Sequence, residues 1–204
     1  MFHRSIFRWA FLFLTLGIFG VRGYFGQLAR RQGNASYALD DQAIQREGRW
    51  SILFRMAAFF YMIGALILYA INSPWLKVLT LSLPPWLRWT GILVGIGGLA
   101  LMAWTHQTLG KMWSTNLRIR EGHALVTGGP YARIRNPMYT AMIVFASGWA
   151  LVASNWLILV MAVAILAGLL VRTPKEEAML IEKFGDEYRE YMKKAGRYWP
   201  KWKR

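Results

Sequence analysis

With 204 residues, 55% hydrophobic side chains and a mean hydropathy of +0.26, the chain is too apolar to present an ordinary soluble surface. It has no cysteine, which excludes disulfides, a thiolate nucleophile and cysteine-ligated metal. Its formal charge of +15 invites a nucleic-acid reading, but the cations flank apolar runs, as they do beside anionic lipid headgroups, and no nucleic-acid partner is expected.

The first apolar stretch, Ile6 to Val21, carries Arg8 near one end and no small-residue cleavage site after it, so it reads as a retained helix and not a signal peptide. Met56 to Leu76 and Trp89 to Gly110 follow, each long enough for the roughly 20 residues that a membrane span needs. Between them, Ser73-Pro74-Trp75 and Pro84-Pro85-Trp86 bracket a short amphipathic stretch suited to an interfacial turn. Gly91, Gly95 and Gly98 recur at helical spacing in the third run and would let a neighbouring helix approach closely. The loop Gly128 to Tyr139 comes next, and its two glycines and two prolines allow a backbone that bends sharply and then stays put. From Met138 to Val171 there are 34 residues without one charged side chain. That is too long for one span and too short for two with a generous loop, so a tight hairpin turning near Ser154-Asn155 is expected. Beyond Pro174 an amphipathic helix is expected, with Ala178, Ile181, Phe184, Tyr188 and Tyr191 on its apolar face. Trp199, Trp202 and the terminal cations look like an interfacial anchor.

The fold class is therefore an all-α integral membrane protein, with spans at about 6–22, 52–71, 87–105, 138–153 and 156–172, and a pocket formed by a loop and the C-terminal helix. One structural domain is expected, residues 1–104 supplying three spans and 105–204 the functional core. Arg22, Arg30, Arg31, Arg46 and Arg49 fall in one stretch, Lys111, Arg118, Arg120, Arg133 and Arg135 in another, and ten more cations follow Val171. Only Arg4, Arg8, Lys77 and Arg88 belong to the other edge, which predicts a cytoplasmic C-terminus and an outside N-terminus.

Two charge clusters return to the same membrane face. Arg133 and Arg135 sit in the braced loop, where a guanidinium can meet a carboxylate or phosphate in a bidentate contact or simply anchor the following span. Glu176 and Glu177 lie just past the hairpin, where a carboxylate near hydrocarbon is costly unless it acts or caps a helix starting after Pro174. Arg172 can pair with either, and Tyr131 and Tyr139 are either interfacial aromatics or faces for a cation. An arginine, two carboxylates and tyrosines suit a ligand both zwitterionic and cationic, but spacing alone does not name it.

Leu125-Val126-Thr127-Gly128-Gly129-Pro130-Tyr131, then Arg135-Asn136-Pro137-Met138-Tyr139, then Arg172, Glu176-Glu177, Leu180, Phe184-Gly185, Tyr188 and Tyr191 resemble the isoprenylcysteine carboxyl methyltransferase family and its phospholipid-methylating relatives. The resemblance covers about half of the chain, residues 105 to 200, and its specificity lies in the order of the elements around one charge-free hairpin. It implies an S-adenosylmethionine-dependent membrane methyltransferase, with S-adenosylhomocysteine as product, a lipophilic methyl acceptor entering laterally from the membrane lipids, and no metal. Carried over residue by residue, it implies a cofactor pocket built from Leu125, Val126, Gly129, Pro130, Tyr131, Arg135, Asn136, Pro137, Tyr139, Glu176 and Glu177. Arg135 and Glu177 would be its most sensitive catalytic positions, and Arg172 would face the substrate. The family's histidine is Asn136 here, which donates and accepts hydrogen bonds but does not titrate near neutral pH, leaving it a positional role. A prokaryotic inner membrane is the expected location. Two rivals are an NADPH-dependent, sterol-reductase-like enzyme and a non-catalytic membrane binding or scaffold protein.

Overall fold

The structure, a computed structural model, describes residues 2–31, 49–71, 73–110 and 125–201. Arg46, Lys111, Arg118, Arg120 and Trp202, which entered the expectations above, lie outside them. Helix α1 spans Phe2–Arg31, α2 Arg49–Ala70, α3 Pro74–Val78, α4 Pro85–Leu109, α5 Pro137–Ala153, α6 Trp156–Phe184 and α7 Asp186–Lys194, with a short 3-10 turn at Gly129–Ala132. Among the described residues there is no β-strand, only isolated bridges.

Among the described residues, three helices are long and apolar enough to cross a membrane: Ser5–Arg31, Pro85–Leu109 and Trp156–Phe184. Met56–Ala70 and Pro137–Ala153 are shorter apolar helices. The chain is an integral membrane protein. The large apolar side chains left exposed, such as Phe13, Phe60, Leu93 and Val171, lie on these helices, where lipid tails are their natural surroundings.

The bundle is organised around α5, which packs against α4 more extensively than any other pair does. Glycines make that approach possible. A Cβ on Gly91 would sit 2.8 Å from the Gly148 carbonyl oxygen, and one on Gly98 would sit 2.5 Å from the Phe145 nitrogen. The helical spacing of Gly91, Gly95 and Gly98 thus marks a packing face, and Gly148 is its counterpart on α5. Gly148→Val would drive two methyl groups against the α4 backbone; a loss of about 1–3 kcal/mol is expected. A lowered melting temperature in detergent checks it, and an unchanged one would refute the close-packing account.

Around this pair, Phe7, Phe11 and Leu14 of α1 join Phe145, Trp149, Val152, Ile158 and Met161 in the core. Phe11 stacks on Trp149 at 4.7 Å, and the indole Nε1 donates to Thr15 Oγ1 at 2.9 Å, so the buried indole keeps its hydrogen bond. The hairpin turns where expected. Ser154 adopts the left-handed conformation (φ 51°), and Asn155 caps α6 by accepting from the Leu157 nitrogen at 3.0 Å.

The structure corrects three expectations. First, α1 does not end near residue 22 but runs to Arg31, so Arg22, Arg30 and Arg31 are helical and not in a loop. At 30 residues it is about 45 Å long, more than the roughly 30 Å of hydrocarbon, so one end projects beyond it and its arginines can reach headgroups. Second, no new helix starts after Pro174: α6 continues through it. Proline removes one intrahelical donor, but good helix formers follow, and the Thr173 hydroxyl donates to the Leu169 carbonyl at 2.8 Å in the turn before it. Glu176 and Glu177 are consequently mid-helix residues, not caps. Third, the tail is not one amphipathic stripe. Ala178 is exposed, and Gly185 (φ 54°) ends α6, so Tyr188 and Tyr191 belong to the separate helix α7.

Candidate functional site

The loop before α5 is fixed from both sides. Gly129 takes a positive φ of 54°, and a Cβ there would lie 2.7 Å from Thr108 Oγ1, so the 3-10 turn rests on the last turn of α4. Pro137 begins α5, where a missing N–H leaves no carbonyl unserved. On the other side the chain after α7 runs beside the loop. Arg135 N donates to Gly196 O at 2.7 Å, Asn136 N to Arg197 O at 3.0 Å, and Gly196 N returns to Arg133 O at 3.0 Å. Tyr191 adds its hydroxyl to the Tyr131 carbonyl at 2.6 Å. Loop and tail thus form one cap over the end of the bundle.

One carboxylate sits inside this cap. Glu177, its side chain 4% exposed, accepts from Arg135 Nε at 3.1 Å and Asn136 Nδ2 at 3.2 Å on one oxygen, and from Arg197 Nη2 at 2.6 Å on the other. Arg135 in turn donates Nη1 to the carbonyls of Ala195 at 2.7 Å and Met192 at 3.3 Å. A buried ion pair is stable only when its remaining donors and lone pairs are also met, and here they are. The guanidinium therefore joins α5's leading loop, α6 and the tail within the fold.

Glu176 points elsewhere, because neighbouring helical residues are about 100° apart. It accepts from Arg172 Nε at 2.8 Å, the two side chains being 27% and 20% exposed, and the Tyr139 hydroxyl is in hydrogen-bonding contact with both. Arg172, expected to face a substrate, is paired with Glu176. The adjacent carboxylates thus have separate roles: Glu177 is enclosed and Glu176 is within reach of solvent.

Tyrosines fill the space between. Tyr188 and Tyr191 pack with Leu125, Leu180, Ile181 and Phe184, and the buried Tyr188 hydroxyl has no hydrogen-bond partner among the described residues. Burial, with Tyr191 and Glu176 nearby, raises the Tyr131 hydroxyl above the ordinary tyrosine range. Burial, then Glu177, raises Tyr188, and burial pushes Tyr191 up to about 12 although Arg135 opposes it. Arg197 is raised above its usual value chiefly by its hydrogen bond to Glu177.

A pH dependence follows from Tyr191. Its hydroxyl stays protonated in the folded cap to higher pH than in the unfolded chain, whose tyrosines ionise near 10.0, so the folded state binds more protons between those values. Its contribution to stability is full below pH 10 and is lost as pH rises towards 12. Tyrosinate absorbance should lag behind that of free tyrosine until the cap opens; titration of all nine tyrosines at the free value would contradict this packing.

Residues 86–187, half of the chain, match the phospholipid methyltransferase family. The chain belongs to that family. The match starts at Trp86, so α4 lies in the matched region together with the cap loop and the hairpin. Over 74 residues the chain is 36% identical to the protein-S-isoprenylcysteine O-methyltransferase of Schizosaccharomyces pombe, covering 36% of this chain and 31% of that protein. It is 32% identical over 113 residues to the enzymes of that name from Mus musculus and Homo sapiens, covering 54% of this chain and 40% of each. The chain spans well under half the length of these curated relatives. A solved structure of a eukaryotic intramembrane Ras methyltransferase, isoprenylcysteine carboxyl methyltransferase, aligns at a TM-score of 0.49 with 24% identity, over 74% of this chain and 50% of that one.

Within this family frame, the residues singled out in the sequence fall into three groups. Arg135, Asn136 and Glu177 form the enclosed knot, while Arg172 and Glu176, both partly exposed, and the buried Tyr139 form a second cluster beside it. Gly129, Pro130, Tyr131 and Pro137 shape the loop between them, and Leu125 packs on the tyrosines while Val126 is half-buried. Sequence reasoning missed Arg197, Tyr198 and Thr173. Arg197 is the second guanidinium on Glu177, and the Tyr198 hydroxyl reaches Thr173 Oγ1 at 2.7 Å while its carbonyl accepts from Thr140 at 2.6 Å. Their signal was masked by a terminal run of cations that reads equally well as a headgroup anchor.

Proposed function

We propose that this protein transfers a methyl group from S-adenosylmethionine to a lipophilic acceptor at the membrane face that carries the cap. The observation that supports this best is the placement of a partly exposed carboxylate and guanidinium, Glu176 and Arg172, with the buried Tyr139 behind them, against a wall made by Arg135, Asn136 and Glu177 in the family-matched region. When bound, the cofactor supplies an electrophilic methyl group on a sulfonium.

The residues present fit such a group. Glu176 offers carboxylate oxygen to an α-amino group, Arg172 offers N–H donors to a carboxylate, and the Tyr131 and Tyr139 rings offer π-faces to a cation. Arg135, Asn136, Glu177 and Arg197 are positioning residues, since each is engaged by the others. Holding two reactants in register and excluding water is worth roughly 7–11 kcal/mol, and a braced cap is the means for it. If the acceptor carries a proton that must leave, Glu176 is the reachable base and the three-times bonded Glu177 is not.

The acceptor's apolar part has a place at the same end of the bundle. A cavity of about 330 Å³ lies between α1 and α4, lined by Tyr24, Phe25, Leu28, Ala29, His106, Gln107 and Gly110. The acceptor is an isoprenylcysteine-like carboxylate or a phospholipid amine, and the cap face is cytoplasmic because the cations of the tail lie on it. A prokaryotic inner membrane suits that orientation. Incubating membranes that contain the protein with methyl-labelled cofactor tests the reading: label in an extractable lipid or a prenylated peptide, lost in Glu176→Gln, is the expected result. No labelled product in either fraction would overturn it.

A further inference from the structure

The end of the bundle opposite the cap is a second polar place that methyl transfer does not use. Among the described residues before Glu176 there is no acidic side chain. Arg8 of α1, Lys77 of α3 and Arg88 of α4 nevertheless converge there on a cavity of about 410 Å³, with Tyr69 and Asn155 among its other walls. Three like charges lining one cavity repel one another, so an anion among them is stabilising.

Its guanidiniums are not loosely arranged. Arg88 donates Nε and Nη2 to the Val152 carbonyl at 3.1 and 2.7 Å, and its guanidinium carbon stands 4.0 Å from the centre of the Phe7 ring. Arg8 Nε is buried and has no hydrogen-bond partner among the described residues. A buried charged donor without an acceptor is costly, so an anionic oxygen beside it is stabilising.

An apolar groove of about 750 Å³ lies along α1, α2 and α4. Ile6, Ala70 and Trp89 line the groove, and each is the chain neighbour of a cavity residue: Ser5, Tyr69 and Arg88. A cationic cup beside an apolar groove matches a molecule with a phosphate at one end and a hydrocarbon chain at the other.

We propose that this end of the bundle binds an anionic glycerophospholipid, its phosphate among Arg8, Lys77 and Arg88 and one acyl chain along the groove of α1, α2 and α4. Free phosphate shares the headgroup chemistry but has nothing to place in the groove. The bound lipid is distinct from the methyl acceptor, because it sits at the far end of the helices from Glu176, and the inference does not depend on the methyltransferase reading.

The test uses the full chain in an uncharged detergent with phosphatidylglycerol, phosphatidylcholine or inorganic phosphate, read by native mass spectrometry and by thermal shift. Phosphatidylglycerol should remain bound and raise the melting temperature, and the other two should not. Arg8→Gln combined with Lys77→Gln should weaken phosphatidylglycerol binding about thirtyfold, since each basic contact to a headgroup is worth about a factor of five. Arg8→Lys with Lys77→Arg, which keeps both charges, should retain it. Should the glutamine double variant fail to fold, the lipid comparison on the native chain and the charge-keeping variant still decide. Equal binding of the two lipids, a full shift from inorganic phosphate alone, or loss of phosphatidylglycerol in the charge-keeping variant would each overturn the proposal.

Discussion

Glu177→Gln is expected to unlatch the cap. The change leaves Arg135 buried without its carboxylate and strips Arg197 of its partner, and breaking one side of a buried pair costs about 3–5 kcal/mol. Because the bundle core built from α1, α2, α5 and α6 does not include Glu177, the loss should appear as local opening and not as global collapse. Limited proteolysis at the cap cations Arg133, Lys193 and Lys194 should accelerate by two orders of magnitude or more, while far-ultraviolet circular dichroism stays near that of the native protein. Proteolysis unchanged from the native chain would show that the knot of Arg135, Asn136, Arg197 and Glu177 does not hold loop to tail.

The second large effect concerns Glu176, one residue away and different in kind. Glu176→Gln keeps the size of the side chain and a hydrogen-bond acceptor for Arg172 but removes the charge offered to an ammonium. The lost charge-assisted hydrogen bond is worth about 1.5–3 kcal/mol, so affinity for S-adenosylhomocysteine should fall about ten- to a hundredfold. The melting temperature should hardly move, because the Glu176–Arg172 pair is partly exposed, and pairs of that sort contribute at most about 1 kcal/mol. Arg135→Ala, by contrast, should lose both cap stability and cofactor affinity, and Arg135→Lys should restore neither fully, since an ammonium cannot reproduce the fork that meets Glu177 and two carbonyls. A Glu176→Gln variant that binds S-adenosylhomocysteine as tightly as the native chain would remove Glu176 from the site.

Much of this arrangement can be read from the residues, and the places where reading fails have identifiable causes. The hairpin at Ser154-Asn155 is legible because a charge-free run of fixed length leaves only one turn, and the glycine face of α4 because helical spacing is a direct statement about close approach. The bringing together of Arg135 and Glu177, 42 positions apart, follows from that hairpin. The continuity of α6 through Pro174 is not legible, since proline usually ends a helix and the compensation comes from the fold around it. The division of labour between Glu176 and Glu177 depends on that continuity: only within an unbroken helix are the two turned away from one another. Arg197 was hidden for a different reason. Ten cations follow Val171, and no pattern in the tail sets apart the one that turns inward onto a carboxylate.

The family frame narrows the chemistry without choosing the acceptor. The family's name speaks of a phospholipid and the relatives' names of an isoprenylcysteine.

Calorimetric titration of the purified chain in detergent with S-adenosylhomocysteine, alongside an identical titration with NADPH, tests the central claim most directly. Saturable heat with the first ligand at one site per chain, weakened in Glu176→Gln and absent with NADPH, is the predicted result. Heat with NADPH alone, or with neither ligand, would contradict the assignment of this cap to S-adenosylmethionine.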